Sequence, residues 1–140
     1  MSMSPIEILL VEDNPGDIEL TRIGFEEARV SNNLTVIKDG QEAIDFFEQG
    51  DDLPDIVLLD INLPKVDGFE ILRKIRSLEY SKNIPIIMLT SSEANMDINK
   101  CYSERANSYI TKPVDFDKFY QSIRLLEEFW LTVVKLPQSN

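Results

Sequence analysis

Glu12-Asp13, Asp60, Thr90 and Lys112 each close a short apolar run. Their types suggest one kind of chemistry. Three carboxylates in one pocket would raise one another's pKa, and a bound cation would relieve the repulsion. Carboxylates with backbone carbonyls and water suit a hard ion such as Mg²⁺. A carboxylate ringed by that cation, a lysine and a hydroxyl has what phosphoryl transfer requires. Asp60 would be the nucleophile, and Lys112, Thr90 and the cation would bind the phosphoryl oxygens. Lysine, a compact charge on a long stem, suits reaching one such oxygen. Singly, Lys112 and Thr90 each have an ordinary role that outweighs this one, and Glu12-Asp13 has one that weighs evenly with it. Acidic residues begin loops, a lysine snorkels on the surface, and a threonine caps a helix. The chemical reading gains its weight if the residues converge.

Convergence depends on the elements between them. Ile6–Val11 is an almost wholly apolar run, as expected of a strand buried on both faces. Asn14-Pro15 then reads as a helix start, with Asn as N-cap, Pro at the first helical position and Asp17 in the first turn. That helix carries Ile18, Thr21/Arg22 and Phe25. Leu34–Ile37 is the second strand. A second helix opens at Asp39-Gly40, packs through Ala43, Ile44, Phe46 and Phe47, and closes at Gly50. Asp55–Asp60 is the third strand, followed by a third helix with Phe69, Ile71/Leu72, Ile75 and Leu78. Pro85–Thr90 is the fourth strand. The fourth helix, from about Glu93 to Arg105, has only Ala94, Ile98, Cys101 and Tyr102 spaced to pack. Ser108–Lys112 is the fifth strand. A last helix from near Asp115 shows a regular stripe of Phe116, Phe119/Tyr120, Ile123, Leu126/Leu127 and Trp130.

Five strands thus alternate with five helices. That pattern predicts right-handed crossovers and an α/β fold with a parallel sheet covered on both faces. The strand order 2-1-3-4-5 is adopted from known sheets of this class, with its switch between the first and third strands. Sites in such sheets lie outside the carboxyl ends of the strands, where the five polar residues fall.

Composition narrows the function. The chain has 140 residues, the size of one domain, with 43% hydrophobic and 28% charged residues. Its 25 acidic and 14 basic residues give a net charge of −11, which disfavours nucleic-acid binding. No apolar run reaches a membrane span and no signal peptide opens the chain; with the lone Cys101, this indicates a cytoplasmic protein. There is no histidine. That excludes Ser-His-Asp and Cys-His catalysis, His-ligated zinc and any role as a phosphohistidine carrier.

The motifs Val11-Glu12-Asp13-Asn14, Leu58-Leu59-Asp60-Ile61-Asn62-Leu63-Pro64, Asp67-Gly68, Leu89-Thr90-Ser91 and Tyr109-Ile110-Thr111-Lys112-Pro113 stand in the order and spacing of receiver domains. Over roughly residues 6–131 the chain resembles these response regulators of two-component systems. Asn14-Pro15-Gly16-Asp17 and Phe129-Trp130-Leu131 further resemble the small regulators paired with bacterial and cyanobacterial phytochrome kinases. The resemblance implies a flavodoxin-like (βα)5 fold and a sensor histidine kinase as phosphodonor. Asp60 would be the phosphoacceptor. Asp13, Asp60 and the backbone carbonyl of Asn62 would ligate Mg²⁺, with Glu12 acting through a coordinated water. Lys112 would contact the phosphoryl group, and the Lys112-Pro113 bond would be cis. Thr90 and Tyr109 would switch on phosphorylation. The family often has Gly before its fifth strand; here the segment is Arg105-Ala106-Asn107-Ser108, and Asn107 is expected to take the left-handed position. Ser92 with Asn62 occupies a place that tunes dephosphorylation in the family.

The expected organisation is a short extension (residues 1–5), the receiver (6–131) and a tail (132–140), with no output domain. Output is then a protein contact made by a signalling protein rather than an enzyme, one that promotes only its own phosphotransfer and dephosphorylation. Phe129, Trp130, Leu131, Val133 and Val134 are too many apolar residues for one helical stripe. They suggest a homodimer through the last helix, with a tail folded on its own domain as the alternative. Rival functions fit less well. A flavin module would need hydroxyls and glycines where Glu12-Asp13 stands, and a haloacid-dehalogenase-type phosphatase would need Asp at Asn62. A P-loop is absent from the sequence. A receiver-like protein that is never phosphorylated would typically lack one of the acidic or lysine residues.

Overall fold

The computed structural model describes residues 5–27, 31–91 and 95–111. Within them, β1 (Ile6–Val11), α1 (Pro15–Glu26), β2 (Asn32–Ile37), α2 (Gly40–Gln49), β3 (Ile56–Asp60), α3 (Gly68–Ser77), β4 (Ile86–Thr90), α4 (Asn95–Ser103) and β5 (Ser108–Thr111) follow one another. The strands form one parallel sheet in the order β2-β1-β3-β4-β5. The helix expected from Asp115 lies outside the described residues.

Side chains alternate across each strand, so each run of β-branched and leucine residues feeds two cores. Leu9, Val11, Val57, Leu59, Ile86 and Met88 point to one face, where Phe47 of α2, Ile71, Leu72 and Ile75 of α3, and Cys101 of α4 close over them. Ile8, Leu10, Leu58, Ile87, Leu89 and Ile110 point to the other, against Ile18 and Phe25 of α1. β3 and β4 are buried at every position, whereas Glu7 of β1 and much of the edge strand β2 reach solvent.

The helix ends follow local chemistry. The Asn14 side chain accepts the Asp17 N–H at 3.0 Å, with Pro15 opening the helix. Asp39 and Asp67 cap α2 and α3 in the same way. Gly50 ends α2 in the left-handed region, φ 74°.

Three expectations are corrected. β2 starts at Asn32 rather than Leu34, because both asparagines pair with β1 and place their side chains usefully. Asn32 Nδ2 donates to the Phe25 carbonyl at 3.0 Å and Asn33 Nδ2 to Glu7 Oε2 at 2.8 Å. α4 ends at Ser103 rather than near Arg105, and Tyr102, whose spacing suggested packing, is 51% exposed and meets only the edge of the Tyr109 ring among the described aromatic contacts. The left-handed residue before β5 is Arg105, φ 70°, not Asn107. Asn107 instead extends the sheet's bonding. Its N–H donates to the Ile86 carbonyl and its Oδ1 accepts the Ile86 N–H, both at 2.8 Å.

Candidate functional site

Parallel pairing brings the strand ends to one rim. Val11 lies opposite Leu59, Asp60 opposite Leu89, and Thr90 opposite Thr111. Glu12, the residue after β1, therefore stands beside Asp60, and Thr90 stands one step beyond it on the other side. Glu12, Asp60 and Thr90 are almost wholly buried and Asp13 is exposed. Carboxylate oxygens of Glu12, Asp13 and Asp60 all lie within 4.8 Å of one another. At roughly 5 Å, two charged carboxylates repel by about 3 kcal/mol at an effective dielectric of 20.

Local bonds hold these groups in place. Glu12 Oε2 accepts the N–H groups of Asp13 and Asn14, each at 3.1 Å, so the carboxylate folds over the turn into α1. Asp60 Oδ1 accepts the Asn62 N–H at 3.0 Å. The loop after β3 then passes back beneath Asp60. Gly68 N–H donates to the Ile61 carbonyl at 3.0 Å, and a Cβ on Gly68 would stand only 2.4 Å from the Asp60 carbonyl oxygen. Only glycine fits there, which is the physical content of Asp67-Gly68.

Tyr109, opposite Met88 on β5, is half-buried and meets Tyr102 edge-on, with ring centroids 6.0 Å apart at 80°. One contact was not legible in the sequence. Asn62 Nδ2 donates to Ser91 Oγ at 2.8 Å, tying the loop after β3 to the end of β4. Nothing marked Ser91 beyond its place after Thr90. Ser92, Lys112 and Pro113 lie outside the described residues. Glu12, Asp13, Asp60, Asn62 and Thr90 thus meet at one rim.

The donor set fits a hard divalent cation. It offers oxygen ligands alone, from two adjacent strands, with one carboxylate facing solvent for entry.

The family profile of the response regulator receiver domain matches residues 8–124. The chain belongs to the receiver-domain family. Among relatives of this family, Response regulator Rcp1 of Synechocystis sp. is 34% identical over 141 residues, covering 97% of this chain and 96% of that protein. "Probable methanogenesis regulatory protein FilR2" of Methanothrix harundinacea is 37% identical, covering 91% of this chain and 84% of that protein. Among solved structures, the phosphorylated cyanobacterial phytochrome response regulator RcpA superposes with a TM-score of 0.82 at 37% identity, over 96% of this chain and 99% of that one. The Mn²⁺-bound form of Rcp1 gives a TM-score of 0.81 at 34% identity, over 95% and 99%. The receiver fold is accordingly the flavodoxin-like one, with strand order 2-1-3-4-5. Among the described residues no helix is long and apolar enough to cross a membrane.

Proposed function

We propose that this receiver takes a phosphoryl group from a partner sensor histidine kinase onto Asp60, with Mg²⁺ bound beside it, and thereby switches a protein-interaction surface. The observation that carries the reading is the cluster of Glu12, Asp13 and Asp60 at the carboxyl rim. A phosphorylated relative matched almost end to end, RcpA, and a Mn²⁺-bound one, Rcp1, support it. RcpA, a phytochrome response regulator, and RtBRR, a bacteriophytochrome response regulator, make a phytochrome-type kinase the first donor to try.

In the transfer, an Asp60 Oδ attacks the phosphorus of a kinase phosphohistidine. The new O–P bond forms as the P–N bond breaks, and the electron pair returns to the imidazole nitrogen, which takes up a proton. The bond from the Asn62 N–H orients the Asp60 carboxylate. Asp13, Asp60 and the Asn62 carbonyl would hold Mg²⁺, with Glu12 reaching it through water. Bound there, the ion supplies positive charge to the transferring oxygens. Lys112 would neutralise a further oxygen, next to a cis Lys112-Pro113 bond. Thr90, at the end of β4, would turn toward the phosphoryl group and Tyr109 would follow. The receiver spans residues 6–131 in this reading, and the last helix and its apolar residues mediate a homodimer.

The test is transfer from a panel of phosphorylated histidine kinases, phytochrome kinases included. Rapid loss of label from one kinase and its gain by this chain, but not by Asp60→Asn, is the expected result. Label gained equally by Asp60→Asn would move the acceptor elsewhere.

A further inference from the structure

The opposite rim of the sheet carries the reverse charge. There the end of α3, the turn before β4 and the segment before β5 meet around Arg76, which is 8% exposed. Its five N–H groups are all donated. Nε and Nη2 reach the Arg105 carbonyl at 3.0 and 2.9 Å, and Nη1 reaches the carbonyls of Lys82 and Ile84 at 3.1 and 2.7 Å. Nη2 also reaches Asn107 Oδ1 at 3.0 Å. Every acceptor is neutral, so the bonds are satisfied while the charge is not. Burial, and then the charge of Arg105, push the Arg76 guanidinium below the usual arginine range.

Beside this buried cation lies a cavity of about 220 Å³ lined by Arg73, Arg76, Ser77, Ser103, Glu104 and Arg105. Three of the chain's six arginines thus face one space in a protein of net charge −11. Arg73 pairs with Glu104 at 3.2 Å, and among the described residues no carboxylate lies within 4.0 Å of Arg76 or Arg105. Offsetting helix dipoles does not account for all of this charge. The carboxyl ends of α3 and α4 are worth about half a negative charge each. With Glu104 they leave a surplus of about one positive charge. Buried charges are ordinarily paired, and guanidinium forks match oxyanions in geometry.

We propose that this cavity binds a small multivalent oxyanion of the phosphate class, held by the forks of Arg73 and Arg105 in the field of Arg76. Ser77 and Ser103, whose hydroxyls donate to the Lys74 and Lys100 carbonyls, line the same space and can rotate toward a ligand. The cavity is smaller than the roughly 300–1,000 Å³ of typical small-molecule sites, which favours an oxyanion over a nucleotide. Glu104 competes with the ligand for Arg73. The site stands on the rim away from Asp60 and does not depend on phosphorylation.

The test titrates the full chain with inorganic phosphate in EDTA, at fixed pH and ionic strength, and follows backbone amides by NMR. Saturable shifts are expected at Arg73–Ser77 and Ser103–Asn107, and not at Asp13 or Asp60. Sulfate should reproduce them, while acetate and chloride should not. Arg73→Gln or Arg105→Gln should weaken binding about tenfold or more, the loss of one charge-assisted contact. Glu104→Gln should tighten it several-fold by releasing Arg73, a gain that a damaged fold does not produce. Shifts that fail to saturate, that appear equally with acetate, or that survive both arginine changes overturn the site. So does a Glu104→Gln chain that binds no tighter than wild type.

Discussion

Glu12 and Asp60 are fixed by backbone donors independently of any ligand, Glu12 by the turn it precedes and Asp60 by the Asn62 N–H. The site is therefore preorganised, and its tolerance to change is small where backbone runs beneath it. Gly68→Ala is the sharpest case. The added methyl would meet the Asp60 carbonyl oxygen at 2.4 Å and Ile61 Cα at 2.8 Å, both backbone atoms that cannot swing aside. A loss of about 3 kcal/mol is expected in urea unfolding, the upper end of the overpacking range. Phosphorylation should fall with it, because the displaced segment carries Asp60 itself; a Gly68→Ala chain with wild-type stability would contradict the tight approach. The acidic residues were legible in the sequence because each ends an apolar run, and strand ends share a rim in a parallel sheet. Ser91 was not, because its bond to Asn62 depends on the separation of two loops rather than on any local pattern.

Among the elements, the segment joining α4 to β5 shows where sequence signals stop. Asparagine tolerates the left-handed region, so Asn107 was the natural candidate for the turn. The structure gives that conformation to Arg105 and uses the Asn107 side chain as an acceptor for Ile86 N–H and Arg76 Nη2. A long-range demand thus outweighs a local preference, since a buried backbone donor and a buried guanidinium both need Asn107 Oδ1. Asn107→Ala should cost about 2–3 kcal/mol, because both donors lose their partner. Asn107→Gly should cost at least as much, read by the same denaturation. A glycine variant as stable as wild type would restore the turn role and contradict the acceptor role. Elsewhere local signals suffice: Asn14-Pro15, Asp39 and Gly50 mark helix ends that the structure reproduces.

For the whole molecule, a five-stranded parallel sheet covered on both faces was expected from the alternation of apolar runs with helical stripes, whereas its strand order was adopted from the fold class. The last helix, Lys112 and Pro113 lie outside the described residues, so the homodimer rests on sequence alone. Sedimentation over a range of concentrations should show a monomer–dimer equilibrium, and a monomer at every concentration, phosphorylated or not, would end that proposal. The proposed function turns first on Asp60. Incubating the chain with a small acyl phosphate, followed by peptide mass mapping of the acyl-phosphate adduct, tests it directly. The expected adduct is on Asp60, requires Mg²⁺, disappears in EDTA and is absent from Asp60→Asn. An adduct of equal yield in Asp60→Asn, or one mapped to another residue, would contradict the account.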